Sequence, residues 1–186
     1  MKQKSQNRFL AALLAVAMML QMLPMLAFAE DTPDAHAVKI DGKEGSYANL
    51  EDAVKAALSG DTIILGEGNY TLYGKKSDII KTKGKDLTFE GKGRGVTTWQ
   101  IGPKVPDPSK EKTEYNGDYS FDGAGTVTFK NMTLCAGPRS DGKAANYLGF
   151  IRIDNTVVEN CDIDGKTFYW GYQSAKFINT TFNAPD

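Results

Sequence analysis

Three segments align without gaps around an asparagine: Thr128-Phe-Lys-Asn131-Met-Thr-Leu134, Val157-Val-Glu-Asn160-Cys-Asp-Ile163 and Lys176-Phe-Ile-Asn179-Thr-Thr-Phe182. Each has an apolar residue two before the Asn and another three after it. Thr88-Phe89-Glu90-Gly91 is a weaker copy with Gly at the Asn position. The asparagines are 29 and 19 residues apart, and the longer interval holds a polar insertion, residues 138–146. Self-similarity at this period is the mark of a repeat architecture.

Alternate residues of a strand face opposite sides, so each arm of the repeat reads as a short strand with one apolar side. Asn131, Asn160 and Asn179 interrupt the alternation, and Asn and Gly are the residues that tolerate a left-handed backbone. Each unit therefore reads as two strands joined by a one-residue structural bend. Stacking would put Phe129, Val158 and Phe177 in one interior column, and Leu134, Ile163 and Phe182 in a second. Burying each such side chain contributes about 1.5–3 kcal/mol. Stacked Asn side chains could also hydrogen-bond along the stack. In this register Cys161 lies inward beside Met132 and Cys135 faces outward. Two cysteines are in any case too few for a disulfide framework.

A unit of about 20–29 residues fits a short solenoid in which each coil touches its neighbours. The fold class expected is all-β: a right-handed parallel β-helix over residues 61–186, with one capping α-helix in residues 38–60. That helix is legible in Asn49-Leu-Glu-Asp-Ala-Val-Lys-Ala-Ala-Leu58. Asn49 suits an N-cap with Asp52 three residues on, and Gly60 suits the C′ position. Leu50, Ala53, Val54, Ala57 and Leu58 share one face. Ten residues do not hold as an isolated helix, so it must lie against the bare apolar end of the stack.

The first 29 residues read differently. Lys2, Lys4 and Arg8 precede an almost wholly apolar run from Phe9 to Leu20, and Ala27-Phe28-Ala29 is an A-x-A cleavage signal. This is a secretory signal peptide. An uncleaved membrane anchor is the competing reading, since the run approaches the ~20 residues a span needs. Gln21 and Pro24 interrupt it, and no later segment is apolar enough, so no stable span is expected after cleavage. Residues 30–37 would form a flexible mature N-terminus. Losing three cations leaves 19 Lys and Arg against 23 Asp and Glu, a net charge of −4. With no basic patch, nucleic acid is not an expected partner. The chain is expected to be secreted, extracellular and displayed at the cell surface.

Tyr47 to Ala57, then Gly60-Asp-Thr-Ile-Ile-Leu65, then Gly68-Asn-Tyr70, resembles the N-terminal cap and first coil of the pectin-lyase-like right-handed β-helix superfamily. Preceded by Val38-Lys-Ile-Asp-Gly42, the opening is also similar to wall-displayed surface proteins of Gram-positive gut bacteria. The resemblance implies the fold; activity must be sought residue by residue. Polygalacturonases of that superfamily use paired aspartates and a Gly-His-Gly segment. The single histidine here, His36, has no flanking Gly, and no adjacent Asp-Asp pair exists. The aspartates, arginine and glutamines of methylesterases find no match. Lyases use Ca²⁺-binding carboxylates with an Arg or Lys base, and Arg152 and Asp154 come nearest. One acid beside an arginine does not supply the six to eight oxygens that Ca²⁺ takes. No catalytic residues, metal or cofactor are therefore expected.

The most informative surface is the strand pair 149–154 and 168–173. With Ile151 and Ile153 inward, Phe150, Arg152 and Asp154 face out. Counting back from Asn160 and Asn179 puts Phe150 level with Tyr169 and Asp154 level with Gln173. Aromatic faces rimmed by guanidinium, carboxylate and carboxamide suit a sugar ring. A one-residue slip would bury the same side chains as core. The polar stretch 103–117 reads as a solvated loop or the rim of a groove.

Two functions compete. The first is a structural, adhesin-like surface module without catalysis, binding a polysaccharide or host glycan through Phe150, Arg152, Asp154, Tyr169 and Gln173. The second is a carbohydrate-active lyase or hydrolase acting on acidic polysaccharide such as pectin, with Arg152 as functional group and Asp154 or Asp122 as acid. The third Asn unit ends at Phe182 with no closing helix after it, so further coils of a longer protein are an expected partner. The cleavage signal is directly testable. N-terminal sequencing of the protein exported by a secreting host should begin at Glu30; a chain retaining Met1 in the membrane fraction would mean an anchor.

Overall fold

The computed structural model describes residues 37–71, 79–101, 107–110, 119–137, 140–141, 147–169 and 173–183. The signal segment and most of residues 30–37 lie outside these, as do residues 103–106 and 111–117 of the polar loop. The protein is mostly strand with one α-helix among the described residues. In chain order the elements are β1 (Val38–Ile40), α1 (Leu50–Ala56), β2 (Thr62–Leu65), β3 (Gly68–Thr71), β4 (Leu87–Glu90) and β5 (Thr97–Gln100). A 3₁₀ turn (Pro108–Lys110) precedes β6 (Tyr119–Lys130), β7 (Thr133–Cys135), β8 (Tyr147–Glu159) and β9 (Asp162–Asp164). Then come β10 (Lys166–Tyr169), β11 (Ser174–Ile178) and β12 (Thr181–Asn183).

From β2 to β9 consecutive strands alternate between two sheets. The first has the order β1-β2-β4-β6-β8-β10, with β11 also paired to β8; the second runs β12-β9-β7-β5-β3. Every pairing is parallel except β1 with β2. Buried parallel strands of this kind need an apolar partner on the inner face, and the register provides it. Ile63, Phe89, Phe129, Val158 and Phe177 stand level across the first sheet. Tyr70, Trp99, Leu134, Ile163 and Phe182 stand level across the second. Both columns match the expected order. Phe89, Trp99, Phe121 and Phe129, all fully buried, join the sheets through ring contacts of 5.0 to 6.1 Å. The last members differ: Phe177 is 38% and Phe182 58% exposed, because the described residues place no strand beyond β11 and β12. These two rings pack edge to face at 5.0 Å.

The asparagines occupy the bends. Asn131, Asn160 and Asn179 have φ of 55°, 53° and 46°. Two residues, not one, separate the strands at each bend, and the second turns inward in two of them, as fully buried Met132 and Cys161. The Asn side chains form no single continuous ladder. Asn179 Nδ2 donates to Asn160 Oδ1 at 2.7 Å, while Asn131 Nδ2 donates to Glu90 Oε1 at 3.0 Å. Gly91 departs from the asparagine pattern. Its φ is not positive, and it is glycine for space: a Cβ there would sit 2.6 Å from the Asn131 carbonyl oxygen.

Helix α1 begins as its sequence dictates. Asn49 Oδ1 accepts from the Asp52 N–H at 2.9 Å, and Leu50, Ala53 and Val54 are buried with Val38, Ile40, Ile63 and Leu65 in one core. Its end comes earlier than the expected Ser-Gly stop. Ala57 is already extended, the Asp61 carboxylate accepts from the Leu58 N–H at 2.7 Å, and Lys85 Nζ donates to the carbonyls of Val54 and Ala57. Side chains thus satisfy the orphan groups of the last turn, and Leu58 is left 67% exposed instead of facing the core.

The bends supply a sharp stability test. A β-carbon-bearing residue at a left-handed position costs roughly 1–2 kcal/mol, a cost that Asn softens and Gly avoids. Asn160→Ala should therefore lower stability in urea by about 1–2 kcal/mol, and Asn160→Gly by less than half of that. At Gly91 the order reverses, and Gly91→Ala should be worse than Asn160→Ala because the clash is with backbone. Equal losses for Asn160→Ala and Asn160→Gly would show that the lost amide, not the bend, matters.

Candidate functional site

On the outer side of the first sheet, alternation along β8 sorts the candidate residues. Ile153 is fully buried, Arg152 exposed and Asp154 half-buried. Arg152 and Asp154 lie two residues apart on one face, a separation of about 6–7 Å at 3.2–3.4 Å per residue. The Gln173 N–H donates to the Asp154 carbonyl, which places the exposed Gln173 beside Asp154, just before the register pair Ser174 and Asn155. Asp122 is level with Arg152 on the neighbouring strand β6.

The register of the aromatic residues differs by one from the expected one. Phe150 is level with Phe168, and Tyr169 is level with Ile151. Counting back from Asn179 misses by one for a definite reason. Ile151 and Asn155 are four positions apart on β8, while their partners Tyr169 and Ser174 are five apart. The segment between β10 and β11 carries one residue more than the stretch of β8 it runs beside. The side chains of Phe150 and Tyr169 lie outside the described part. The site is thus a polar row: Arg152 with Asp122 across from it, then Asp154 with Gln173. A guanidinium donates in a rigid fork, and carboxylate and carboxamide groups accept or donate beside it. Arg152, Asp154 and Gln173 thus put donors and acceptors along one line of the outer face.

The same outer face carries a charge column that the sequence reading missed. Glu90, Lys130 and Glu159 are level on β4, β6 and β8, and Lys130 Nζ lies 3.1 Å from Glu159 Oε2. Opposite charges side by side between strands add to pairing by about 0.2–1 kcal/mol. Arg94 is a second residue missed. It sits in the Gly91–Gly95 run and reaches along the bends, to Asp162 Oδ1 at 3.4 Å, Thr181 Oγ1 at 3.4 Å and the Asn179 carbonyl. The signal was an arginine between Gly93 and Gly95, both at positive φ: glycines there let the loop turn so that the long side chain lies over its neighbours.

No cluster of three His, Cys, Asp or Glu placed to hold a metal ion occurs among the described residues, and none of their helices is long and apolar enough to cross a membrane. Comparison with known proteins gave no match to a family model, to a curated protein or to a solved structure.

The cysteines remain apart as free thiols, Cys161 buried and Cys135 half-buried. Burial first, and then the Asp164 carboxylate charge, push the Cys135 thiol from its ordinary 9.0 up to about 11. Because the folded value is raised, the folded state holds this proton more tightly than the unfolded chain. The contribution is present below pH 9.0 and lost as pH rises towards about 11. The urea midpoint of the wild type should fall more steeply than that of Cys135→Ala between those two pH values; parallel profiles would place the thiol in open solvent.

Proposed function

We propose that the chain is a right-handed parallel β-helix displayed outside the cell as a structural, adhesin-like module that binds glycan on the outer face of its first sheet. The observation that carries this reading is the alternation of successive strands between two parallel sheets, with the columns Ile63-Phe89-Phe129-Val158-Phe177 and Tyr70-Trp99-Leu134-Ile163-Phe182 in register. Such a stack presents a long flat outer face on a rigid core, the geometry repeat proteins use for extended binding surfaces. The resemblance of residues 38–72 to the pectin-lyase-like cap and first coil agrees with it. Helix α1 then serves as the cap of one end. The exposed Phe177 and Phe182 are assigned to contact with further coils of a longer protein.

The ligand row is Arg152, Asp154 and Gln173, with Phe150 two positions before Arg152 on the same strand; Tyr169, level with Ile151, leaves the row. A sugar's hydroxyl and carboxylate groups would meet Arg152, where a charge-assisted hydrogen bond contributes about 1.5–3 kcal/mol. The register position of Asp122, level with Arg152 on β6, is the observation that favours the second reading, a lyase or hydrolase of acidic polysaccharide. One experiment separates the readings. The purified protein is titrated with acidic and neutral polysaccharides while reducing ends and unsaturated products are followed. Binding without turnover, weakened about tenfold or more by Arg152→Ala, is the expected result. Turnover abolished by Arg152→Ala would establish the enzyme, and binding unaffected by Arg152→Ala would remove this face from the function.

A further inference from the structure

A cleft of about 430 Å³ opens between α1 and the segment 79–83. Its floor is apolar, made by Val54, Ile79 and Ile80. Its rim is cationic. Lys55, Lys81 and Lys83 stand around it, all exposed, against the single acid Glu51. Lys55 is paired with Asp52 Oδ1 at 3.2 Å, so Lys81 and Lys83 are the lining cations that face its one acid, Glu51, a balance opposite in sign to the whole chain at −1. A fourth cation, Lys85, backs the wall with its ammonium on the last carbonyls of α1. Burial first, then the nearby Lys83 charge, lower the pKa of Lys85.

Lys83 adds an independent argument. It has φ 53° and is followed by Gly84 at 78°, and the Lys85 N–H donates to the Thr82 carbonyl at 3.1 Å. Two left-handed residues make this a type I′ turn, whose first central position favours Asn, Asp or Gly. Lysine at a left-handed position costs roughly 1–2 kcal/mol relative to a residue suited to it. Turn geometry therefore does not select this side chain; the ammonium it holds at the cleft mouth does something the turn does not need.

We propose that this cleft binds a small organic anion, a single carboxylate or sulfate on an apolar body. The head is held between Lys81 and Lys83, and the body lies on Val54, Ile79 and Ile80. The size follows from the volume: at about 30 Å³ per liquid water, 430 Å³ accommodates roughly a dozen heavy atoms. Octanoate has this size and charge. The site is remote in sequence from the Arg152 row and does not rest on the glycan reading.

The test is an amide-resolved NMR titration of the ¹⁵N-labelled protein with octanoate, and with octan-1-ol as its uncharged counterpart. The expected result is saturable shifts at Val54, Lys55 and Ile80 to Lys83. Octan-1-ol should bind there about tenfold more weakly, and the double variant Lys81→Gln, Lys83→Asn should weaken octanoate by about fivefold or more. Asn suits the left-handed position, so the variant's melt should be at least as high as the wild type's, which separates loss of binding from loss of fold. Shifts confined to the exposed Phe177 and Phe182 end, equal affinity for the alcohol, or an unchanged affinity in the double variant would each overturn the proposal.

Discussion

The whole arrangement hangs on backbone register. Each strand pairs in parallel with the strand of the next unit, and side chains alternate with a period of two. A slip of one residue would therefore turn Phe89, Phe129 and Val158 outward together and bring Thr88, Thr128 and Val157 in. The left-handed asparagines prevent this by setting where each strand ends. Because Asn131, Asn160 and Asn179 share one bend conformation, the strands before and after them begin in phase. The apolar columns supply most of the free energy, at about 1.5–3 kcal/mol per buried side chain; the bends decide which columns form.

Where the units are well formed, polar groups follow the same logic. Thr97 Oγ1 donates to the Gly66 carbonyl at 2.7 Å and accepts from the Lys92 N–H, so a fully buried hydroxyl is satisfied on both sides. Among the described residues two buried groups have no partner, the Trp99 indole Nε1 and the Thr156 hydroxyl. An unpaired buried donor costs about 1–3 kcal/mol. At Trp99 the ring sits against Phe89, Phe121 and Phe129, and the area buried there outweighs one missing hydrogen bond. The core is thus tuned for aromatic volume first and polar satisfaction second.

Much of this was legible in the residues. The Asn repeat, both interior columns, the N-cap of α1 and the separation of Cys135 from Cys161 can be read from residue identity, because each depends on a local preference or on a period of two. Other features depend on distances along the chain that local preference does not fix. The extra residue between β10 and β11 shifts Tyr169 away from Phe150, although Gln173 still meets Asp154. The early end of α1 depends on Asp61 and Lys85, which reach it only in three dimensions. Gly91 looked like a bend glycine and is a contact glycine, a difference visible only once the Asn131 carbonyl lies over it.

Arg94 makes the stack less than a simple sum of neighbours. In a repeat protein each unit normally senses only the units beside it, and a load applied to the last one peels it away alone. Here a side chain from the loop between β4 and β5 grips Asp162, Thr181 and the Asn179 carbonyl in the two last units. A pull on β12 is thus shared with a unit three strand pairs away. The strap ties the last two units to the loop between β4 and β5, so a load on β12 reaches that loop without passing through every strand between.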